Sequence, residues 1–135
     1  MKQKKIKYLL GRSKVFWEHW LGLEYWTVNA YLKPGKPRGR NGEHLFGLCH
    51  VSWEYMEAAL ELFPENMKHL NEDQLERGVL HELVHILINE MRSKKGKRMK
   101  HEERVVAGLV TAFMWTKIAY RNEGQEYANR NQKSE

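Results

Sequence analysis

The chain has 135 residues, 41% of them hydrophobic and 30% charged, with five Trp, six Tyr and four Phe. That is enough apolar material for one packed core, too short a chain for two, and it excludes wholesale disorder. The formal net charge is +6, and the lone cysteine, Cys49, excludes an intramolecular disulfide and fits a reducing compartment.

The first ten residues are basic, and their apolar run stops at Gly11-Arg12, too early for a signal-peptide core. No stretch approaches the roughly 18 apolar residues of a spanning helix. A cytoplasmic protein without membrane contact is therefore expected. Much of the positive surplus falls in the N-terminal lysines and in residues 33–40 and 92–100. Such segments permit nucleic-acid contact, but solvated basic loops are the favoured reading.

Ser13 is placed to cap a short helix through Val15, Phe16, Trp17 and Trp20, with Gly22 ending it. Trp26, Val28, Ala30 and Leu32 then alternate with Tyr25, Thr27, Asn29 and Tyr31, the period of a strand. Two prolines and three glycines make residues 33–42 a long basic loop. Residues 45–53 read as a second strand. Residues 57–63 read as a third, with Ala58, Leu60 and Leu62 on one side and a hairpin joining it to its neighbour. Asn71 followed by Gln74 forms a capping-box pattern, with Glu72 and Asp73 in the favourable first turn. It predicts a helix over residues 72–91, buried through Leu75, Val79, Leu83, Ile86 and Leu87 between a sheet and another helix. A charged connector follows. A last helix is expected over residues 101–121, with Val105, Val106, Leu109, Val110, Phe113 and Ile118 at helical spacing, and a polar, fraying tail after Asn122.

The first long helix carries His81-Glu82-Leu83-Val84-His85. Four residues of helix turn about 400° and rise about 6 Å, so the two imidazoles stand one above the other on one face. Two neutral nitrogens so placed can grip one Zn²⁺, and Glu82, turned about 100° from His81, can serve as general base for a metal-activated water. A five-residue pattern is short. Its weight comes from the capped helix around it, the apolar residues at and beside its variable positions, and the acid-led helix that follows. Titratable residues amid Val79, Leu80, Leu83, Val84 and Ile86 would be costly without a ligand.

A catalytic zinc usually takes three protein ligands. The next helix offers His101, Glu102 and Glu103. Glu102 is the first choice because it lies on the backward projection of the stripe Val105, Val106, Leu109 and Val110. Glu103, aligned with Val106, Ala107 and Val110, is the alternative, and His101 comes third. Adjacent Cys49 and His50 cannot both face one metal from a strand. His19, His44 and His69 read as solvent or packing residues, Cys49 as core rather than nucleophile, and Trp17, Trp20, Trp26 and Trp53 as core.

With His81-Glu82-Leu-Val-His85 and His101-Glu102-Glu103-Arg-Val-Val, the chain resembles zincin metallopeptidases, and more narrowly the minimal gluzincin-type peptidases of bacteria and phages. The resemblance covers roughly residues 13–120. It implies an α+β fold: a single small zincin-like domain, its small antiparallel or mixed sheet packed on an active-site helix, with a C-terminal ligand helix. It implies Zn²⁺ on His81, His85 and one of Glu102 and Glu103, Glu82 as general base, and a peptide or protein substrate extended along an edge strand, residues 45–53 or 57–63. The Asn-Glu-x-x-Ser-Asp pattern of the large thermolysin-like enzymes is missing, as are the Gly and third His of metzincins. Tyr120 and His101 are the candidates for an oxyanion donor. The alternative function is a non-catalytic, zinc-stabilised domain that binds protein or nucleic acid.

Overall fold

The structure, a computed structural model, describes residues 1–92 and 97–133. The expected connector therefore lies partly outside the described residues. The architecture is α+β: three helices and a three-stranded mixed sheet.

Helix α1 spans Gln3–Trp20, ten residues earlier than the Ser13 start expected. The cause is a continuous apolar stripe. Ile6, Leu9, Leu10 and Trp17 recur at helical spacing and are all buried. The lysines between them are good helix formers that need no burial. Ser13 thus falls inside the helix rather than capping it. The far end is as expected. Gly22 adopts a left-handed φ of 70°, its N–H donates to the His19 carbonyl at 3.1 Å, and the Leu23 N–H reaches the Glu18 carbonyl at 2.8 Å. This is a Schellman closure, and it seats Leu23 in the core.

The strands are β1 (Thr27–Leu32), β2 (Gly47–Ser52) and β3 (Glu57–Leu62). A hairpin joins β2 to β3 antiparallel, with Cys49 opposite Leu60, while β1 pairs parallel to β3, with Val28 opposite Ala58. The order is β1-β3-β2, so β3 is central. Residues 57–63 therefore cannot be the free edge, whereas β2 is one. Ala58, Leu60 and Leu62 are buried on one face of β3, as their alternation predicts. In β1 only Val28 is buried; Ala30 and Leu32, though paired with Leu60 and Leu62 of β3, are exposed.

Helix α2 spans Glu72–Ile88 and continues as a 3₁₀ turn over Asn89–Met91. Its capping box is formed: Gln74 N–H donates to Asn71 Oδ1 at 2.8 Å, and Asn71 N–H donates to Gln74 Oε1 at 3.0 Å. Such a cap is worth about 1 kcal/mol. The helix packs against β2 on one side and against α1 and α3 on others, which is why Leu75, Val79, Leu80, Leu83, Val84 and Ile86 are all buried. Leu87, expected in the core, is exposed instead.

Helix α3 spans Glu102–Lys133, twelve residues beyond its expected end. Its buried stripe is narrow and strictly four-spaced: Glu102, Val106, Val110 and Met114. Val105 and Ile118 are exposed. Of the tryptophans expected inside, Trp17 is buried and Trp26 packs against the core, but Trp20 and Trp53 are exposed. No helix among the described residues is long and apolar enough to cross a membrane.

Candidate metal centre

Helix α2 presents His81 and His85 one turn apart, and the first turn of α3 meets them. The two Nε2 atoms are 3.2 Å apart. Glu103 reaches both: its Oε2 is 3.0 Å from His81 Nε2, and its Oε1 is 3.1 Å from His85 Nε2. These three side chains form a group whose ligand atoms all lie within 4.8 Å of one another.

Glu102, the first choice as third ligand, is not in that group. It is buried on the other side of His85, where Nδ1 lies 2.8 Å from Glu102 Oε2. The physical reason is the stripe that recommended it. Four-spaced burial carries Glu102 inward past His85, whereas Glu103, a further hundred degrees or so around the axis, emerges half-exposed over the Nε2 atoms. His101 adopts a left-handed φ of 64° just before the helix and is exposed, outside the group.

The donor set of two imidazoles and a carboxylate suits zinc. Nitrogen and oxygen ligands about 2.0–2.1 Å from a tetrahedral zinc stand about 3.3 Å from one another; the two Nε2 atoms are near that separation, and the Glu103 carboxylate meets each of them through a different oxygen. A cation is also near: Arg98, whose Nη1 donates to Glu103 Oε1. Burial holds the His85 ring below the ordinary histidine range, outweighing the pull of Glu103, and a neutral ring is what metal ligation requires.

Glu82 lies on the adjacent side of α2. Its side chain is buried, and its Oε2 has no hydrogen-bond partner among the described residues. Burial, reinforced by the negative charge of Glu103 and opposed by Arg98, pushes its pKa up to about 7. A buried carboxylate oxygen without a donor costs free energy.

Glu82, His81, Glu103 and Arg98 line one cavity of about 640 Å³, whose wall also includes Leu45 to Leu48, Leu70 and the polar side chains of Asn66, Gln74 and Arg77. The edge strand β2 forms its rim. Gly47 brings the strand close: a Cβ there would meet the Glu61 carbonyl oxygen at 2.7 Å and stand 3.6 Å from Glu82 Cγ. His44 and His69, read as bland, line the same cavity with ring centroids 6.4 Å apart. Nothing in the sequence singled out these two or Arg98, because they come from separate segments that only the fold brings together.

The other candidates lie elsewhere. Tyr120 packs edge-on against Trp20 at 5.6 Å, far along α3, and does not line the cavity. Cys49 packs against the core behind Glu82, its thiol pushed up to about 12 by burial and then by the Glu82 charge. His50 is exposed, 3.8 Å from Glu61, and His19 pairs with Glu24 at the surface. Comparison with family models, with curated proteins and with solved structures finds no match for this chain.

Proposed function

We propose that this chain is a zinc-dependent metallopeptidase. The observation that carries the reading is the meeting of His81, His85 and Glu103 beside Glu82, a buried carboxylate whose Oε2 has no hydrogen-bond partner among the described residues, next to an edge strand. His81 and His85 through Nε2, and Glu103 through a carboxylate oxygen, would hold the ion. A bound zinc ion supplies Lewis-acid polarisation of a carbonyl and lowers the pKa of a water in the site.

The chain's own residues account for the remaining steps. Glu82, whose pKa lies near neutrality, takes the proton of the attacking water and returns it to the leaving amine. The free edge of β2 offers main-chain partners to an extended peptide and so orients the scissile bond along the cavity. Arg77 and Arg98 are cationic donors in the cavity; Arg98, which pairs with Glu103, is the one beside the metal group and would offer its charge to a developing oxyanion. A structural zinc would need a fourth protein ligand. Among the described residues the group has three members, which favours the catalytic reading.

The test is elemental analysis of the purified protein beside turnover of a peptide library followed by mass spectrometry. Wild type should carry about one zinc per chain, and Glu103→Ala should lose it. Glu82→Gln should keep the metal and lose cleavage. Cleavage by Glu82→Gln at the wild-type rate would sink the mechanism, and a metal-free wild type would sink the site.

A further inference from the structure

In the sequence Arg92 is one charge of a basic connector. In the structure it is folded back onto the site. The 3₁₀ turn that ends α2 places it: its N–H donates to the Asn89 carbonyl at 3.1 Å. From there its guanidinium forms a two-point clasp on Glu102, with Nε donating to Oε1 at 2.9 Å and Nη2 donating to Oε2 at 2.8 Å. The Met99 N–H adds a third donor, to Oε1 at 3.2 Å. The remaining approach to Oε2 is made by His85 Nδ1 at 2.8 Å.

Every direction around this carboxylate is thus filled by a donor, which leaves it as an acceptor only. His85 must then carry its proton on Nδ1 and present the Nε2 lone pair to His81 and Glu103. A paired guanidinium fork is planar and matches a carboxylate edge, so it fixes the orientation of the acceptor and not merely its charge.

We infer that Arg92 is a positioning residue: by clasping Glu102 it holds the carboxylate that sets the tautomer and ring orientation of His85. The arrangement joins both ends of the connector. Arg92 closes α2, Glu102 opens α3, and His85 is locked only when the two meet. Outer partners of ligating histidines tune metal affinity by about 10–100-fold. The consequence for zinc rests on the metal-site reading above, whereas the ring orientation of His85 does not.

The experiment has two readouts. The first is imidazole ¹⁵N NMR of chelator-treated protein. Wild type should show His85 protonated on Nδ1 alone; Arg92→Met and Glu102→Gln should shift it towards a mixture of tautomers, and Arg92→Lys should fall between. The second is zinc affinity by competition with a chromophoric chelator, expected to fall about 10–100-fold in Arg92→Met and Glu102→Gln and less in Arg92→Lys. Unchanged His85 nitrogen signals in both Arg92→Met and Glu102→Gln overturn the inference. So does a variant with lower thermal stability but wild-type His85 signals, which assigns Arg92 a purely structural role. If Arg92→Met does not fold, the near-isosteric Glu102→Gln decides. If wild type binds no zinc, the metal reading fails and the ¹⁵N measurement still decides the role of Arg92.

Discussion

The ring of Phe46 occupies the space that a side chain at Gly78 would need. A Cβ at position 78 would stand 2.5–2.7 Å from three Phe46 ring atoms. Glycine inside a helix costs about 1 kcal/mol relative to alanine, yet here it lets the segment leading into β2 lie flat on α2, one turn before His81. Gly78→Ala should therefore destabilise the protein despite its better propensity. Overpacking costs about 1–3 kcal/mol, which after the gain in propensity leaves a net loss of up to about 2 kcal/mol and a Tm lower by up to several degrees. Because Phe46 lines the cavity, the peptide turnover proposed above should fall with it. A Gly78→Ala protein that melts above wild type would show that the ring moves away freely.

Glu76 ties the three helices together. It accepts a hydrogen bond from Trp17 Nε1 of α1 at 3.0 Å and pairs with Lys117 of α3. Lys117 in turn lies over the Phe16 ring, 4.5 Å from its centroid. Glu76 and Lys117 are both mostly buried, so removing one partner strands the other. Glu76→Ala should cost about 2–3 kcal/mol in urea denaturation. The double variant Glu76→Gln, Lys117→Met should cost less than the sum of its singles. Strict additivity of the singles would show that the pair is uncoupled.

What could be read from the sequence was local. The capping box at Asn71, the glycine closure at Gly22, the alternation of Ala58, Leu60 and Leu62 and the helical stacking of His81 over His85 depend on neighbours a few residues away, and the structure has them all. What was missed depends on distant partners. Glu102 and Glu103 both follow from a helix start, but only the approach of α3 to α2 decides that one carboxylate passes behind His85 and the other lies across the Nε2 pair. Arg92 and Arg98 looked like solvated charge because nothing nearby in sequence pairs with them. The start of α1 was hidden differently: a lysine-rich composition masked a regular stripe from Ile6 to Trp17.

The far part of α3 is exposed. Among the described residues beyond Tyr120 none is buried, and their contacts include a local 4.0 Å pair of Arg130 with Glu126. Local pairs of this kind contribute only a few tenths of a kcal/mol. Deleting residues 123–133 should therefore leave Tm within about 2 °C of wild type, while the helical signal in circular dichroism falls. Amide exchange over these residues should be the fastest of α3. A marked loss of stability on truncation would mean that this segment packs on something, such as a second chain.

Glu82 should make the metal-free protein less stable as pH rises. Its folded pKa, about 7, lies above the ordinary value of 4.5, chiefly because burial disfavours the charged form and secondarily because Glu103 repels it. The folded state therefore binds the proton more tightly than the unfolded state. Below about pH 4.5 both states are protonated and there is no penalty. Between about 4.5 and 7 the unfolded state ionises first and stability declines. Above about 7 the full cost remains, on the order of 3 kcal/mol for a shift of this size. Glu82→Gln removes the charge and keeps the shape. In chelator-treated samples it should match wild type near pH 4.5 and exceed it by several degrees in Tm at pH 8. Zinc brings positive charge beside the carboxylate and lowers its pKa, so adding the metal should shrink the gap at pH 8. A difference between variant and wild type that stays constant from pH 4.5 to 8 in the absence of metal would show that Glu82 is not the group that titrates.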